Sequence, residues 1–189
     1  MTWHNPLPLT LVPTDESESF GSMQHGYTGL PLLPHPGAFA ARRKYHTHEG
    51  VDLYAPDGTP VFAVESGEVK QVKQFTGPEL GHDWWLPTWA AWVEGASGTV
   101  VYGEILPKVE VGSRLRAGDL IGVVVPVLKT CKGRPDSMLH LELRVPGNLE
   151  DIDWLHDRNR PAGLLDPTPM LIEISELINE QLCYNKHTT

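Results

Sequence analysis

The stretch His48-Glu49-Gly50-Val51-Asp52-Leu53-Tyr54-Ala55-Pro56-Asp57-Gly58-Thr59-Pro60-Val61 decides how the chain is read. It sets an imidazole and a carboxylate four residues apart around a glycine, whose missing side chain lets the backbone turn toward a bound ion. Pro56-Asp57-Gly58 then marks a tight turn, because Pro fixes φ and Gly accepts a positive φ. Residues 59–64 follow as a predicted strand. Metal-ligand chemistry is thus joined directly to β-sheet grammar.

Working outward, Ser66-Gly67 opens another turn, and residues 68–75, 99–105, 119–127 and 137–145 read as further strands bounded by Gly and Pro. In the last of these Leu139, Leu141 and Leu143 point one way, while Met138, His140 and Glu142 point the other, since side chains on a strand alternate. One face is expected to be core and the other chemistry. After Pro146 the chain turns charged and irregular. Asp166, Pro167 and Pro169 then introduce Leu171, Ile174, Ile178 and Leu182 at helical spacing. An amphipathic helix over about residues 167–182 is predicted, with Asp166 near its N-cap, docking on the sheet.

Residues 1–44, rich in Pro, Gly and Ser and lacking a sustained period, are expected to form an irregular arm lying over the domain or partly disordered. The ordered domain is expected to span 45–189. The fold class is mainly β: a small antiparallel β-sheet or half-barrel, an irregular N-terminal arm and a C-terminal helix.

Composition narrows the functions. The chain has 189 residues, 40% of them hydrophobic, enough for one ordinary core. Fifteen Lys and Arg against 24 Asp and Glu give a net charge of -9, a field that repels nucleic acid and anionic lipid. No segment approaches the roughly 20 apolar residues that span a bilayer, and residues 1–13 lack the features of a secretory signal. A cytoplasmic location is the expectation. Cys131 and Cys183, far apart and without a CxxC spacing, read as ordinary thiols.

His140, from a distant strand, joins His48 and Asp52 as a third candidate ligand. Two imidazole nitrogens and one carboxylate oxygen make a three-ligand shell of the kind catalytic zinc uses, with one position left open. His46 lies two residues before His48 and would share its face on an extended backbone. It is either a further imidazole at the site or an exposed histidine of the basic run Arg42-Arg43-Lys44. Glu142 is read either as the partner that orients His140 or as half of an ion pair with Arg144. His82, Asp83, Trp84, Trp85, Trp89 and Trp92 either wall a groove or fill core.

These motifs resemble, in order, the lysostaphin/LytM-type zinc metallopeptidases. The first half is carried by His48 to Asp52, Leu53 to Val61 and Gly67-Glu68-Val69. The second half is carried by Val111-Gly112, Ala117-Gly118-Asp119, Ile121-Gly122 and Leu139-His140-Leu141-Glu142. The resemblance covers about residues 45–145 and the Leu165-Asp166-Pro167 exit. It implies Zn2+ held by His48, Asp52 and His140, and cleavage of peptide bonds in bacterial cell walls, with a peptide or peptidoglycan-derived substrate. The half-barrel run 111–122 also resembles lipoyl and biotinyl carrier domains, but no Lys stands in the Met-Lys-Met or Asp-Lys-Ala setting those domains require.

The family pattern includes two histidines that do not bind the metal, and both are replaced here. Met138 stands at the first position and Glu104, in Tyr102-Gly103-Glu104-Ile105, at the second. Met138 carries no proton. Glu104 has three open roles: general base, as in HExxH sites; fourth metal ligand, closing the shell; or a carboxylate ion-paired across the sheet. The sequence leaves three readings standing: a zinc-dependent peptide hydrolase with Glu104 as base, helped by His46; a catalytically inactive zinc-binding module for a peptide, glycan or protein; and a relic of the fold without metal.

Overall fold

A computed structural model describes residues 2–80, 83–130 and 135–186, with side chains of the last helix described as far as 177. The Cys131 and Cys183 thiols and the His82 ring lie outside the described residues. In chain order the elements are β1 (Thr10–Thr14), β2 (Tyr27–Pro31), β3 (Val51–Tyr54), β4 (Pro60–Phe62), β5 (Gly67–Thr76), β6 (Thr88–Gly95), β7 (Thr99–Pro107), β8 (Arg114–Leu115), β9 (Leu120–Val124), β10 (Met138–Arg144), β11 (Leu164–Leu165) and α1 (Thr168–Lys186). Each strand expected from the pattern is present. The Pro56-Asp57-Gly58 turn forms as expected, with Gly58 at φ 80° and the Thr59 N–H on the Pro56 carbonyl at 3.1 Å.

The main sheet is antiparallel, in the order β11-β10-β7-β6-β5-β8, with β3 on β10 and with β9 joining β4 to β7. One arrangement within it positions the chemistry. From Thr99 to Gly103, β7 pairs with β10; from Ile105 to Pro107 it pairs with β9. Glu104 sits between the two ladders at φ 62°, where the strand changes partner. Strict alternation would send its side chain to the core face with Tyr102, and the left-handed backbone interrupts that alternation.

Besides the arm's strands and the two-residue β8 and β11, two elements of the main sheet went unread in the sequence. β3 is the ligand motif itself, short and buried at every residue, so it shows no polar-apolar alternation. β6 carries Ala90, Ala91, Trp92 and Val93, all buried, and is likewise covered on both faces. Trp92 joins Ala90 and Val101 in a small second core, whereas Trp84 and Trp89 stay partly exposed.

The arm departs from its expected irregularity. β1 and β2 pair in parallel, and Trp3, Leu7, Leu11 and Leu30 are buried in the main core. Each such side chain contributes about 1.5–3 kcal/mol by leaving water, which holds a segment of poor periodicity in place. The helix follows its sequence signals, with the Asp166 carboxylate accepting the Thr168 N–H at 2.8 Å and with Leu171 and Ile174 buried. Its most extensive strand contacts are with β1 of the arm, while Leu171 and Ile174 join the core shared with the main sheet. Among the described residues, no helix is long and apolar enough to cross a membrane.

Candidate metal centre

β3 and β10 are antiparallel neighbours in a register that sets Asp52 directly opposite His140. Directly opposed residues share a face, so a carboxylate and an imidazole from distant parts of the sequence meet without any loop. His48 enters from the turn before β3. Its backbone N–H donates to the Ala41 carbonyl at 2.9 Å, and its carbonyl accepts the Ala40 N–H at 3.0 Å. All three residues are buried, at 1% (His48), 3% (Asp52) and 7% (His140) exposure.

The donor atoms form a triangle. His48 Nε2 lies 3.2 Å from His140 Nδ1 and 3.2 Å from Asp52 Oδ1, and His140 Nδ1 lies 3.0 Å from Asp52 Oδ1. Ligands about 2.0–2.1 Å from a tetrahedral zinc stand roughly 3.3 Å apart, so the triangle fits such an ion with little adjustment. Among the described residues this is the one such group of histidine, cysteine and carboxylate donors.

Tautomers support the same fit. His48 Nδ1 lies 2.9 Å from the Ala38 carbonyl, which can only accept, so Nδ1 carries the hydrogen and Nε2 presents a lone pair. His140 Nε2 lies 3.0 Å from Glu142 Oε1, which places the neutral ring's hydrogen there, so that loss of the second proton frees the Nδ1 lone pair toward the triangle. Glu142 is held in turn by Arg144, whose Nε donates to Oε2 at 2.8 Å. Both readings of Glu142 therefore hold: it orients the histidine and pairs with the arginine.

The electrostatics favour a cation. Burial opposes a charge on His140, yet hydrogen bonds and negative charge from Asp52 and Glu142 push it up to about 10. Burial also works against an ionised Asp52, but the Arg43 charge foremost, with the hydrogen bond from His140, holds it well below the usual carboxylate range. Burial lowers His48 to about 4, keeping it neutral. A site that draws a proton onto a buried imidazole in this way offers the same field to a metal ion.

Gly50 acts by close approach rather than by the freedom of its backbone. It has no left-handed φ, and a Cβ there would lie 2.6 Å from the Leu141 carbonyl oxygen and 2.9 Å from the His140 ring. Gly103, opposite His140 on β7, serves similarly, since its Cβ would meet the Phe75 ring at 2.8 Å. Phe75 stacks obliquely on His140 with centroids 5.3 Å apart.

Glu104 follows Gly103, the residue opposite His140 on β7. Burial first, then the Asp52 charge, push its carboxyl up to about 8, against the opposing charges of His140 and Arg43. Its Oε2 is buried with no hydrogen-bond partner. No ion pair across the sheet satisfies it among the described residues. Met138, at the start of β10 and opposite Tyr54, brings a thioether to the other family position. His46 is 40% exposed in its side chain and lies 3.8 Å from Glu49, outside the ligand triangle. Its pKa is lowered by burial and then by Arg43.

Sequence reasoning missed Arg43, read only as part of a basic run. Its guanidinium is ion-paired with Asp52 Oδ2, and its Nε donates to the Pro36 carbonyl at 3.0 Å. A cation nine residues before a candidate ligand carries no spacing signal that would have revealed this.

Among solved structures, the chain is similar to the catalytic domain of the antimicrobial peptidase lysostaphin from Staphylococcus simulans, at 20% identity and a TM-score of 0.48, covering 72% of this chain and 89% of that one. It is also similar to the catalytic domain of a mutant of the prophage-encoded M23 protein EnpA from Enterococcus faecalis, at 23% identity and a TM-score of 0.45, covering 66% of this chain and 88% of that one. Against the longer lysostaphin chain solved by NMR, 21% identical with a TM-score of 0.45, 68% of this chain is covered and it spans 44% of the other. No curated protein matches the chain. The model of peptidase family M23 matches residues 46–153, more than half of the chain and the whole of the ligand triangle. The chain therefore belongs to peptidase family M23.

Proposed function

We propose that this chain is a zinc-dependent peptide hydrolase with His48, Asp52 and His140 as metal ligands and Glu104 as general base, acting on peptides of the peptidoglycan class. The observation that carries the base assignment is the buried, unpartnered Glu104 Oε2 beside the ligand triangle. A non-glycine residue in the left-handed region costs on the order of 1–3 kcal/mol, and such strain concentrates at functional sites. Glu104 bears that strain at the point where β7 changes partner.

The zinc, when bound, supplies Lewis acidity that polarises a carbonyl and acidifies water. The protein's own groups do the rest. Ala38 and Glu142 fix the two imidazole tautomers, and Glu104 takes the proton of the attacking water. A carboxyl near pKa 8 in the metal-free protein is strongly basic for its type, and efficient general bases lie near the working pH. Glu104 rather than His46 is assigned the proton, because His46 faces Glu49 and solvent.

A second reading is favoured by Met138, which leaves the other family position without any proton carrier. In that reading the domain holds zinc and binds a peptide, glycan or protein without cutting it. One variant separates the two. Glu104→Gln is expected to retain stoichiometric zinc while losing about 10²- to 10⁴-fold in turnover of a glycine-rich or wall-derived peptide, the range typical of a general base. Unchanged turnover in the variant would remove Glu104 from the mechanism. Zinc-loaded wild type that cleaves nothing in a broad peptide panel would establish the binding module.

A further inference from the structure

The segment 36–43, in the arm ahead of the ligand motif, makes a strap around two of the three ligands. The Ala38 carbonyl accepts from His48 Nδ1 at 2.9 Å and the Gly37 carbonyl accepts the Asp52 N–H at 2.9 Å. The strap ends in Arg43. Its side chain, 31% exposed, is anchored at both ends of the guanidinium: Nε donates to the Pro36 carbonyl at 3.0 Å, and Nη2 is ion-paired with Asp52 Oδ2. Its backbone N–H is fixed as well, donating to the His46 carbonyl at 2.9 Å.

This placement bears on which oxygens of Asp52 remain available. A carboxylate can offer a cation one oxygen or both. With Oδ2 taken by the guanidinium, only Oδ1 faces the two imidazoles, at 3.0 and 3.2 Å. Small zinc with nitrogen ligands takes about four donors, whereas calcium takes six to eight oxygens and uses carboxylates through both. The planar fork of arginine suits this task, because one edge can rest on a backbone carbonyl while the other holds a carboxylate oxygen. Lysine carries its three donors on one nitrogen and lacks the fork that spans the two acceptors.

We infer that Arg43 is a positioning residue that keeps Asp52 monodentate and so makes the centre selective for a small cation of low coordination number. The inference rests on the metal centre proposed above and is independent of whether that centre hydrolyses anything.

The test uses the full chain loaded with cobalt(II), whose visible absorption weakens as its coordination number rises, and competition between zinc and manganese. Arg43→Gln is expected to bind cobalt with a weaker visible band than wild type, and to prefer zinc over manganese by about 10- to 100-fold less, the range seen when a partner of a metal ligand is lost. Arg43→Lys, which keeps the charge and not the fork, is expected to fall between the two. A wild-type spectrum and wild-type selectivity in Arg43→Gln overturn the inference, as does the same result in Arg43→Lys should the glutamine variant fail to fold by circular dichroism. If wild type itself takes up neither zinc nor cobalt, the ligand triangle fails and the role of Arg43 falls with it. Normal loading of wild type with indistinguishable variants removes Arg43 alone.

Discussion

On the β3 and β10 side of the centre, the ligand atoms and the groups behind them are partnered: His48 with Ala38, Asp52 with Arg43, His140 with Glu142, and Glu142 with Arg144. On the β7 side, Glu104 Oε2 is buried with no partner, on a backbone twisted out of the β region. The first half resembles a finished structural network. The second holds stored cost, of the order of 1–3 kcal/mol for an unsatisfied buried polar group in addition to the backbone strain. A fold tolerates such a cost where a ligand or a reaction offsets it, so the contrast matches the two roles proposed for the two halves, holding a metal and acting beside it.

The sharpest way to break this contrast is to remove a ligand from the satisfied half. His140→Ala is expected to lower zinc affinity by more than about 100-fold, and Glu142→Gln by about 10- to 100-fold, since partners of metal ligands matter nearly as much as the ligands themselves. Competition against a chromophoric chelator measures both. Unaltered zinc content in His140→Ala would show that the triangle is not the metal site.

A smaller effect comes from crowding the same half without removing a donor. Gly50→Ala places a methyl group 2.6 Å from the Leu141 carbonyl oxygen and 2.9 Å from the His140 ring. Overpacking of this kind costs about 1–3 kcal/mol, and it should displace His140 and weaken zinc binding along with the melting temperature. A variant with full stability and full affinity would mean that the close approach of the turn to β10 is not required.

The mildest test addresses the unsatisfied half through pH. Glu104 is raised from 4.5 to about 8 in the folded, metal-free protein. Between those values the folded state keeps a proton that the unfolded chain has released. Its contribution to stability is therefore fully present below about pH 4.5 and is lost as the pH rises toward about 8. Glu104→Gln should flatten that decline, read as melting temperature against pH with the metal removed. Parallel curves for variant and wild type would show that Glu104 is not buried in a proton-demanding environment.

The fold was legible wherever one physical rule acted alone. Alternation of Leu139, Leu141 and Leu143 with Met138, His140 and Glu142 located β10 and assigned its faces correctly. Asp166 and the prolines around it located α1. Reading failed at β3 and β6, where burial on both faces removes the alternation, and in the arm, where Leu7, Leu11 and Leu30 are held by distant partners rather than by local periodicity. Within the site, His48, Asp52 and His140 were legible from spacing and from motif order, and Glu104 from its place after Tyr102-Gly103. Arg43 was not, because its role depends on where the strap lies over β3.

By itself, then, the sequence determined the chemistry available: two imidazoles and a carboxylate able to serve as metal donors, a carboxylate and a thioether where the family pattern has histidines, and a β-rich scaffold to carry them. These are local properties of residue type and spacing. Only the tertiary structure decided that His140 stands opposite Asp52, that β7 changes partner at Glu104, and that Arg43 takes one oxygen of Asp52. Each of these depends on strand register and chain crossing, which are set by long-range packing and leave no mark on neighbouring residues.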